Sequence, residues 1–268
     1  MTSVRPVVLE IDAPIARIWI NRAEKANALD RNALDHLADA LGAVAAQEET
    51  RLLILSGTGE RAFCAGLDLN ELSENTANSG AALRLDARWD AVSDQIAALP
   101  CLTIAYLNGA CVGGGLSLAL ACDLRLSVAS AFLAYPAIRH GVIPSPRDVT
   151  RLTGLVGPNN GKRILMLGGR LSASKAREIG LVDEVGSADT LNRLVGEFGN
   201  AIGANRRANL VAIKRLIDRF PESRRTAQDC YEAVYDGSSA ALERLLSPVP
   251  PVPDDTIIDK MPTPSPCG

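Results

Sequence analysis

Two histidines, His36 and His140, are all that the 268-residue chain contains, and its six cysteines, Cys64, Cys101, Cys111, Cys122, Cys230 and Cys267, nowhere form C-x-x-C spacing. With no thiol pair and no acidic cluster beside a cysteine, a metal site has little to be built from, and none is expected. The cysteines sit among small apolar neighbours and read as buried free thiols. An excess of positive charge is missing too. The 28 Lys and Arg face 31 Asp and Glu, a net charge of −3, which argues against a nucleic-acid surface. No apolar run approaches the roughly 18 residues of a membrane span, and the segment Met1 to Asp12 has no apolar core of a secretory signal. The expected location is therefore the cytoplasm, without membrane or nucleic-acid partners. What is present, 47% hydrophobic and 22% charged residues, is the balance of a globular protein with one large domain and a small appendage.

The richest stretch runs from Thr103 to Val128. Thr103–Leu107 reads as a short buried strand, Asn108-Gly109 breaks it, and Gly113, Gly114 and Gly115 open onto Leu116–Ala121, a Leu- and Ala-rich run with the character of a buried helix. A second strand, Leu124–Val128, follows Asp123. Strand, glycine loop, helix and strand form a right-handed crossover whose helix begins in bare backbone. Without Cβ atoms a substrate oxygen can approach Gly114 closely, and the first-turn N–H groups would receive developing negative charge. The competing reading is a turn selected only for close helix-to-sheet packing. The spacing fails the dinucleotide pattern G-x-G-x-x-G. Gly115-Leu116-Ser117-Leu118-Ala119 is one residue short of a nucleophile elbow, which makes a serine hydrolase using Ser117 an alternative. That fold needs a late histidine, and His140 follows Ser117 too soon.

In chain order, Val7–Ile11 and Ile15–Asn21 read as a hairpin, Asp30 as the N-cap of an amphipathic helix over Arg31–Ala46, and Arg51–Ser56 as a strand. The following loop turns at Ala65-Gly66 and enters helix near Leu69. Ser73–Gly80 is a candidate lid or an inert surface loop, and Ala82–Leu99 is helical as far as Pro100. Phe132–Tyr135 reads as a strand and Ser145 as a cap with Pro146 at the first helical position. Two short helices, Asn159–Leu167 and Ala173–Ile179, lead through Gly180 to a strand over Leu181–Val185. Beyond Ser187 only helical segments are expected, near Thr190–Ile202, Arg206–Arg219 and Arg224–Leu246, and an apolar helical face there needs the core or another subunit to cover it. The division is thus 1–186, 187–246 and a Pro-rich tail over 247–268.

Four stretches, Lys25–Asp30 (K-A-N-A-L-D), Phe63–Leu69 (F-C-A-G-L-D-L), Asn108–Asp123 and Gly169–Val185, together resemble the crotonase superfamily, the enoyl-CoA hydratase/isomerase family, across residues about 7 to 246. The resemblance implies an α/β fold, a crotonase-like spiral of β-β-α repeats with a C-terminal helical region, assembled as a homotrimer or a dimer of trimers. It implies acyl-CoA as the small-molecule partner, with no separate cofactor because coenzyme A is part of the substrate. An enolate-like thioester oxyanion would lie between the backbone amides of Ala65 and Gly114. Lys25 and Ala26 would lie against the nucleotide, with Lys25 and Arg22 as phosphate partners, and Ala65, Gly66, Leu67 and Asp68 would run along the thioester and pantetheine.

Where hydratases similar to this chain carry two glutamates, Ser117 and Ala137 stand, and Ser145 replaces the aspartate of the related dienoyl isomerases and dehalogenases. The acid and base of standard water addition are therefore missing. The remaining titratable candidates are His140, Asp148, Asp68, Glu71 and Tyr135, of which His140 has the most suitable intrinsic proton affinity near neutrality. Arg139 and Arg147 could meet a carboxylate on the acyl group or pair on the surface. The expected function is an acyl-CoA enzyme with a nonstandard acid or base. The alternative is a catalytically silent acyl-CoA-binding protein.

Overall fold

The computed structural model describes residues 5–68, 79–140 and 143–219. β1 (Val7–Asp12) and β2 (Ile15–Ile20) form the expected antiparallel hairpin, Val7 opposite Ile20. In β2 the alternation is strict: Ala16, Ile18 and Ile20 are fully buried and point to one face. Asp30 accepts a hydrogen bond from the Ala33 N–H at 2.9 Å and starts α1 (Arg31–Ala46) with the predicted bounds.

The chain then winds so that each turn gives one strand to each of two sheets. β3 (Leu52–Gly57), β4 (Ala62–Cys64) and α2 (Ser79–Ala97) are the first turn. β5 (Leu102–Leu107), β6 (Ala110–Val112) and α3 (Gly114–Ala121) are the second. The third comprises β7 (Leu124–Val128), β8 (Phe132–Ala134) and α4 (Pro146–Leu167). β9 (Arg170–Ser172), α5 (Ala173–Glu178) and β10 (Glu184–Gly186) close the sheets, and α6 (Ala188–Gly203) and α7 (Arg207–Arg219) follow. The larger sheet has the order β1-β2-β3-β5-β7-β10, parallel except for the first pair, and the smaller has the order β4-β6-β8-β9. The α/β class and the β-β-α spiral are therefore observed.

β3 is buried along its whole length because helices cover both faces. Leu53 and Leu55 join Leu37 and Leu41 of α1, Ile96 of α2 and Leu116 of α3 in the main core. Leu52 and Ile54 point the other way and meet Leu191 and Val195 of α6. The apolar stripe of α6 thus finds its cover within the chain. Ser145 caps α4 with Pro146 at its start, as expected, and α4 is interrupted at Gly157, where φ is 74° and Pro158 follows.

Some readings shift. The small sheet was largely invisible in the sequence, and β10 begins at Glu184 rather than Leu181. Ser79 and Gly80 already belong to α2. The rest of the candidate lid, Glu71, the helix near Leu69, the Arg224–Leu246 segment, the tail after Ser247, Cys230 and Cys267 lie outside the described residues. Cys64, Cys101, Cys111 and Cys122 are buried free thiols. Among the described residues no helix is long and apolar enough to cross a membrane.

Candidate active site

Two of the sequence motifs are zipped together by backbone hydrogen bonds. The Ala65 N–H donates to the Ala26 carbonyl at 3.1 Å, the Leu29 N–H to the Gly66 carbonyl at 2.8 Å, and the Asp68 N–H to the Leu29 carbonyl at 3.0 Å. Asn27, fully inside and in a left-handed conformation at φ 56°, fixes this loop from its side chain. It accepts from the Arg22 N–H at 3.0 Å and donates to the carbonyls of Thr58 and Ala62 at 3.0 and 2.7 Å. In this ladder the N–H of Leu67 faces away from Leu29, and among the described residues no carbonyl takes it.

The glycine triplet abuts that turn. Gly113 has φ 54° and its carbonyl accepts the first helical bonds, from Leu116 at 2.8 Å and Ser117 at 3.2 Å. A Cβ on Gly115 would lie 2.2 Å from the Cys64 carbonyl, so the close-packing reading of the triplet holds for that residue. Gly66, at φ 92°, rests on the Gly113–Gly114 peptide: a Cβ there would be 3.1 Å from the Gly114 nitrogen. Leu67 and Gly114 therefore open onto one cavity of about 510 Å³, walled by Trp89, Val112, Pro136, Pro144 and Ile143. Unpaired N–H groups at a helix start in an apolar-walled cavity are suited to an oxyanion.

At the floor of the same cavity, three side chains from three elements converge. Ser117 Oγ, in the first turns of α3, donates to Asp148 Oδ2 at 2.6 Å, and Tyr135 Oη, just past β8, donates to the same oxygen at 2.7 Å. The two hydroxyl oxygens are 3.4 Å apart. Ser117, Tyr135 and Asp148 are each at most 7% exposed. Asp148 Oδ1 accepts no hydrogen bond among the described residues, and Asp148 is one of the residues that line the cavity.

The expected site residues fare differently. Gly114, Gly66, Leu67, Ser117 and Ala137 all line the cavity. Ala65 lines it as well, but its N–H, the expected oxyanion donor, is committed to the Ala26 carbonyl, whereas that of Leu67, two residues on, meets no carbonyl among the described residues. Arg22 is corrected from phosphate partner to buried brace: 9% exposed, it pairs with Asp30 at 2.7 Å and Asp68 at 3.1 Å. Asp68 is likewise turned away from the cavity into that brace, where Lys25 joins it at 2.8 Å with its own side chain 43% exposed. Arg147 pairs with Asp90 and Asp94 at 2.8 and 2.9 Å. His140 is exposed at the cavity rim, at the end of a 3-10 turn over Pro136–His140. The hydrolase reading of Ser117 is overturned, because its hydroxyl donates to a carboxylate and no imidazole contacts it. Cys64 beneath the turn is no nucleophile either: burial pushes its thiol up to about 12. No group of three or more His, Cys, Asp or Glu among the described residues could hold a metal ion.

Sequence reasoning had no signal for Trp89, whose ring packs on Gly114. It named Asp148 and Tyr135 only as titratable candidates, since an acidic residue three positions after a capping serine is ordinary at a helix start.

The profile of the enoyl-CoA hydratase/isomerase family matches residues 10–235. The short-chain-enoyl-CoA hydratase of Clostridium acetobutylicum is 30% identical over 213 residues, covering 80% of this chain and 81% of that protein. The crotonyl-CoA hydratase of Syntrophomonas wolfei is 34% identical over 179 residues, 67% of this chain and 68% of its own. Among solved structures, an enoyl-CoA hydratase from Bacillus anthracis superimposes with a TM-score of 0.81 at 29% identity, covering 90% of this chain and 94% of that one.

Proposed function

Because the chain belongs to the enoyl-CoA hydratase/isomerase family, we propose that it is an enzyme acting on acyl-CoA thioesters, holding the thioester oxygen between the amides of Leu67 and Gly114. The observation that carries the reading is that two residues with uncommitted N–H groups line one cavity, Leu67 on a turn tied to Leu29 and Gly114 on the glycine loop against which Gly66 of that turn rests. Such donors stabilise an enolate more than the ground-state carbonyl, because charge grows on the oxygen as the α carbon is deprotonated. The half-exposed Lys25 beside this loop is the available cation for a CoA phosphate. Ser117 and Ala137 supply no carboxylate, so the acid or base is another group of the cavity.

The test is spectroscopic. Bound crotonyl-CoA, a conjugated thioester, should absorb at longer wavelength than free crotonyl-CoA because its carbonyl is polarised. Leu67→Pro removes one N–H while leaving the Gly66 and Asp68 bonds to Leu29, and should cancel most of the shift. An unshifted spectrum at saturation would refute the oxyanion reading. Failure of crotonyl-CoA to bind would refute the substrate class.

A further inference from the structure

We infer that Asp148 is the group that moves the substrate proton in this cavity, and that Ser117 and Tyr135 are positioning residues that fix the orientation of its carboxylate. The inference rests on the thioester reading above. Three observations carry it. Both hydroxyls donate to Oδ2, at 2.6 and 2.7 Å, and two bonds from different elements to one oxygen fix the orientation of the carboxylate. Oδ1 accepts no hydrogen bond among the described residues, and Asp148 lines the cavity. Ser117 stands three residues along α3 from Gly114, a rise of about 4.5 Å at 1.5 Å per residue, so the side chain that grips the carboxylate sits about one helical turn from the residue whose amide would hold the thioester oxygen.

Rival groups are committed or remote. Asp90, on α2, is held at the rim by Arg147, which pairs also with Asp94. His140 is exposed at the rim on its 3-10 turn. Tyr135 lies beyond β8, and Arg147 and Arg151, on α4 with Asp148, are both paired with Asp94 of α2. None of the others combines burial with an open acceptor.

The step balances without a co-reactant. Asp148 takes a proton from the α carbon of the acyl group, the C–H electron pair forms the double bond to the thioester carbon, and the carbonyl pair becomes an oxyanion between Leu67 and Gly114. Return of the proton from the Asp148 carboxyl reverses each change. In D₂O the carboxyl exchanges its proton with solvent while the enolate persists, and the α carbon receives deuterium.

The experiment follows deuterium entry into the α position of butyryl-CoA by NMR, with butyryl-CoA binding measured in parallel by calorimetry. The wild type should exchange well above the enzyme-free rate. Asp148→Asn should lose at least about 100-fold in exchange, the lower range for a positioned proton-transfer group, with thioester binding changed only a few-fold. Tyr135→Phe and Ser117→Ala should lower the exchange rate at saturating butyryl-CoA while leaving its affinity unchanged, and Ser117→Thr, which keeps the hydroxyl, should recover the rate, which a purely structural role would not do. Should Asp148→Asn fail to fold, that split between rate and affinity decides the question. Exchange by folded Asp148→Asn within tenfold of the wild type, an unchanged saturated rate in both hydroxyl variants, or wild-type binding without exchange would each overturn the assignment. Absence of butyryl-CoA binding would overturn the thioester reading and the assignment with it.

Discussion

The α carbon of Gly114 lies against the indole of Trp89 so closely that a Cβ built on it would fall 2.7 Å from the ring. The residue that offers its amide to the cavity is thus also the residue that lets α2 close down on α3. Side-chain size at this position and the width of the cavity are one variable.

Gly114→Ala should therefore lower the thermal midpoint, by an overpacking cost of about 1–3 kcal/mol, and Trp89→Leu in the same chain should recover most of it. Differential scanning calorimetry of the single and double variants measures both. A stable single variant, or a double variant no better than the single, would show that the contact does not limit this position.

The brace around Arg22 should behave differently from the surface cation next to it. Arg22→Met leaves Asp68 buried with one partner fewer, and breaking a buried ion pair costs about 3–5 kcal/mol. Lys25→Met removes a half-exposed partner and should cost about 1 kcal/mol or less. Urea unfolding of the two variants gives the comparison, and equal midpoints would contradict the ranking.

Burial raises all four described thiols, Cys64 and Cys122 to about 12, Cys101 to about 11 and Cys111 well above the ordinary 9.0. Between about pH 9 and 12 the folded chain keeps protons that the unfolded chain releases. Stability is then complete below pH 9 and falls as pH rises, by up to about 1.4 kcal/mol per pH unit for each thiol. Denaturant midpoints from pH 8 to 10.5 should decline accordingly. At pH 8.5 iodoacetamide should leave these four unlabelled until denaturant is added, and labelling of the folded protein at Cys64 would argue against the burial described.

Hydration of crotonyl-CoA should be poor. Water addition needs a base for the water and an acid for the α carbon, each worth about 10²–10⁴ in rate, and among the described residues the cavity holds one buried carboxylate with an oxygen that accepts no hydrogen bond. Loss of the enoyl absorbance should therefore run at least about 100-fold slower than α-proton exchange of butyryl-CoA on the same enzyme. Comparable rates would mean that a second group, with His140 first in line, completes the pair.

Much of this architecture was legible where a local rule operates. The bounds of α1 follow from Asp30 as cap and the spacing of Leu34, Leu37 and Leu41, and the start of α4 follows from Ser145-Pro146. Of the small sheet only β8 was legible, as the strand expected over Phe132–Tyr135, because strands of three residues such as β4 and β6 carry no usable alternation and are set by partners from other turns of the spiral. The same holds inside the site. That a glycine-led helix would present Gly114 could be read from the sequence. Which of Ala65 and Leu67 keeps its N–H free depends on a ladder with residues 26–29, and the bonds of Ser117 and Tyr135 to Asp148 join residues 31 and 13 positions apart. Contacts of that range leave no periodic trace.

The ladder between Leu29 and Leu67 makes the pocket a mechanical extension of α1. Leu29 immediately precedes Asp30, the cap of that helix, and its own N–H and carbonyl fix both sides of the Leu67 amide. Fraying of the first turn of α1 would therefore let go of the Leu67 amide and the Lys25 loop in a single event, with no substrate atom involved. Amides on the two strands of the ladder should then exchange with solvent as one cooperative unit, and the lifetime of the assembled pocket would be set by a helix end that never touches the ligand.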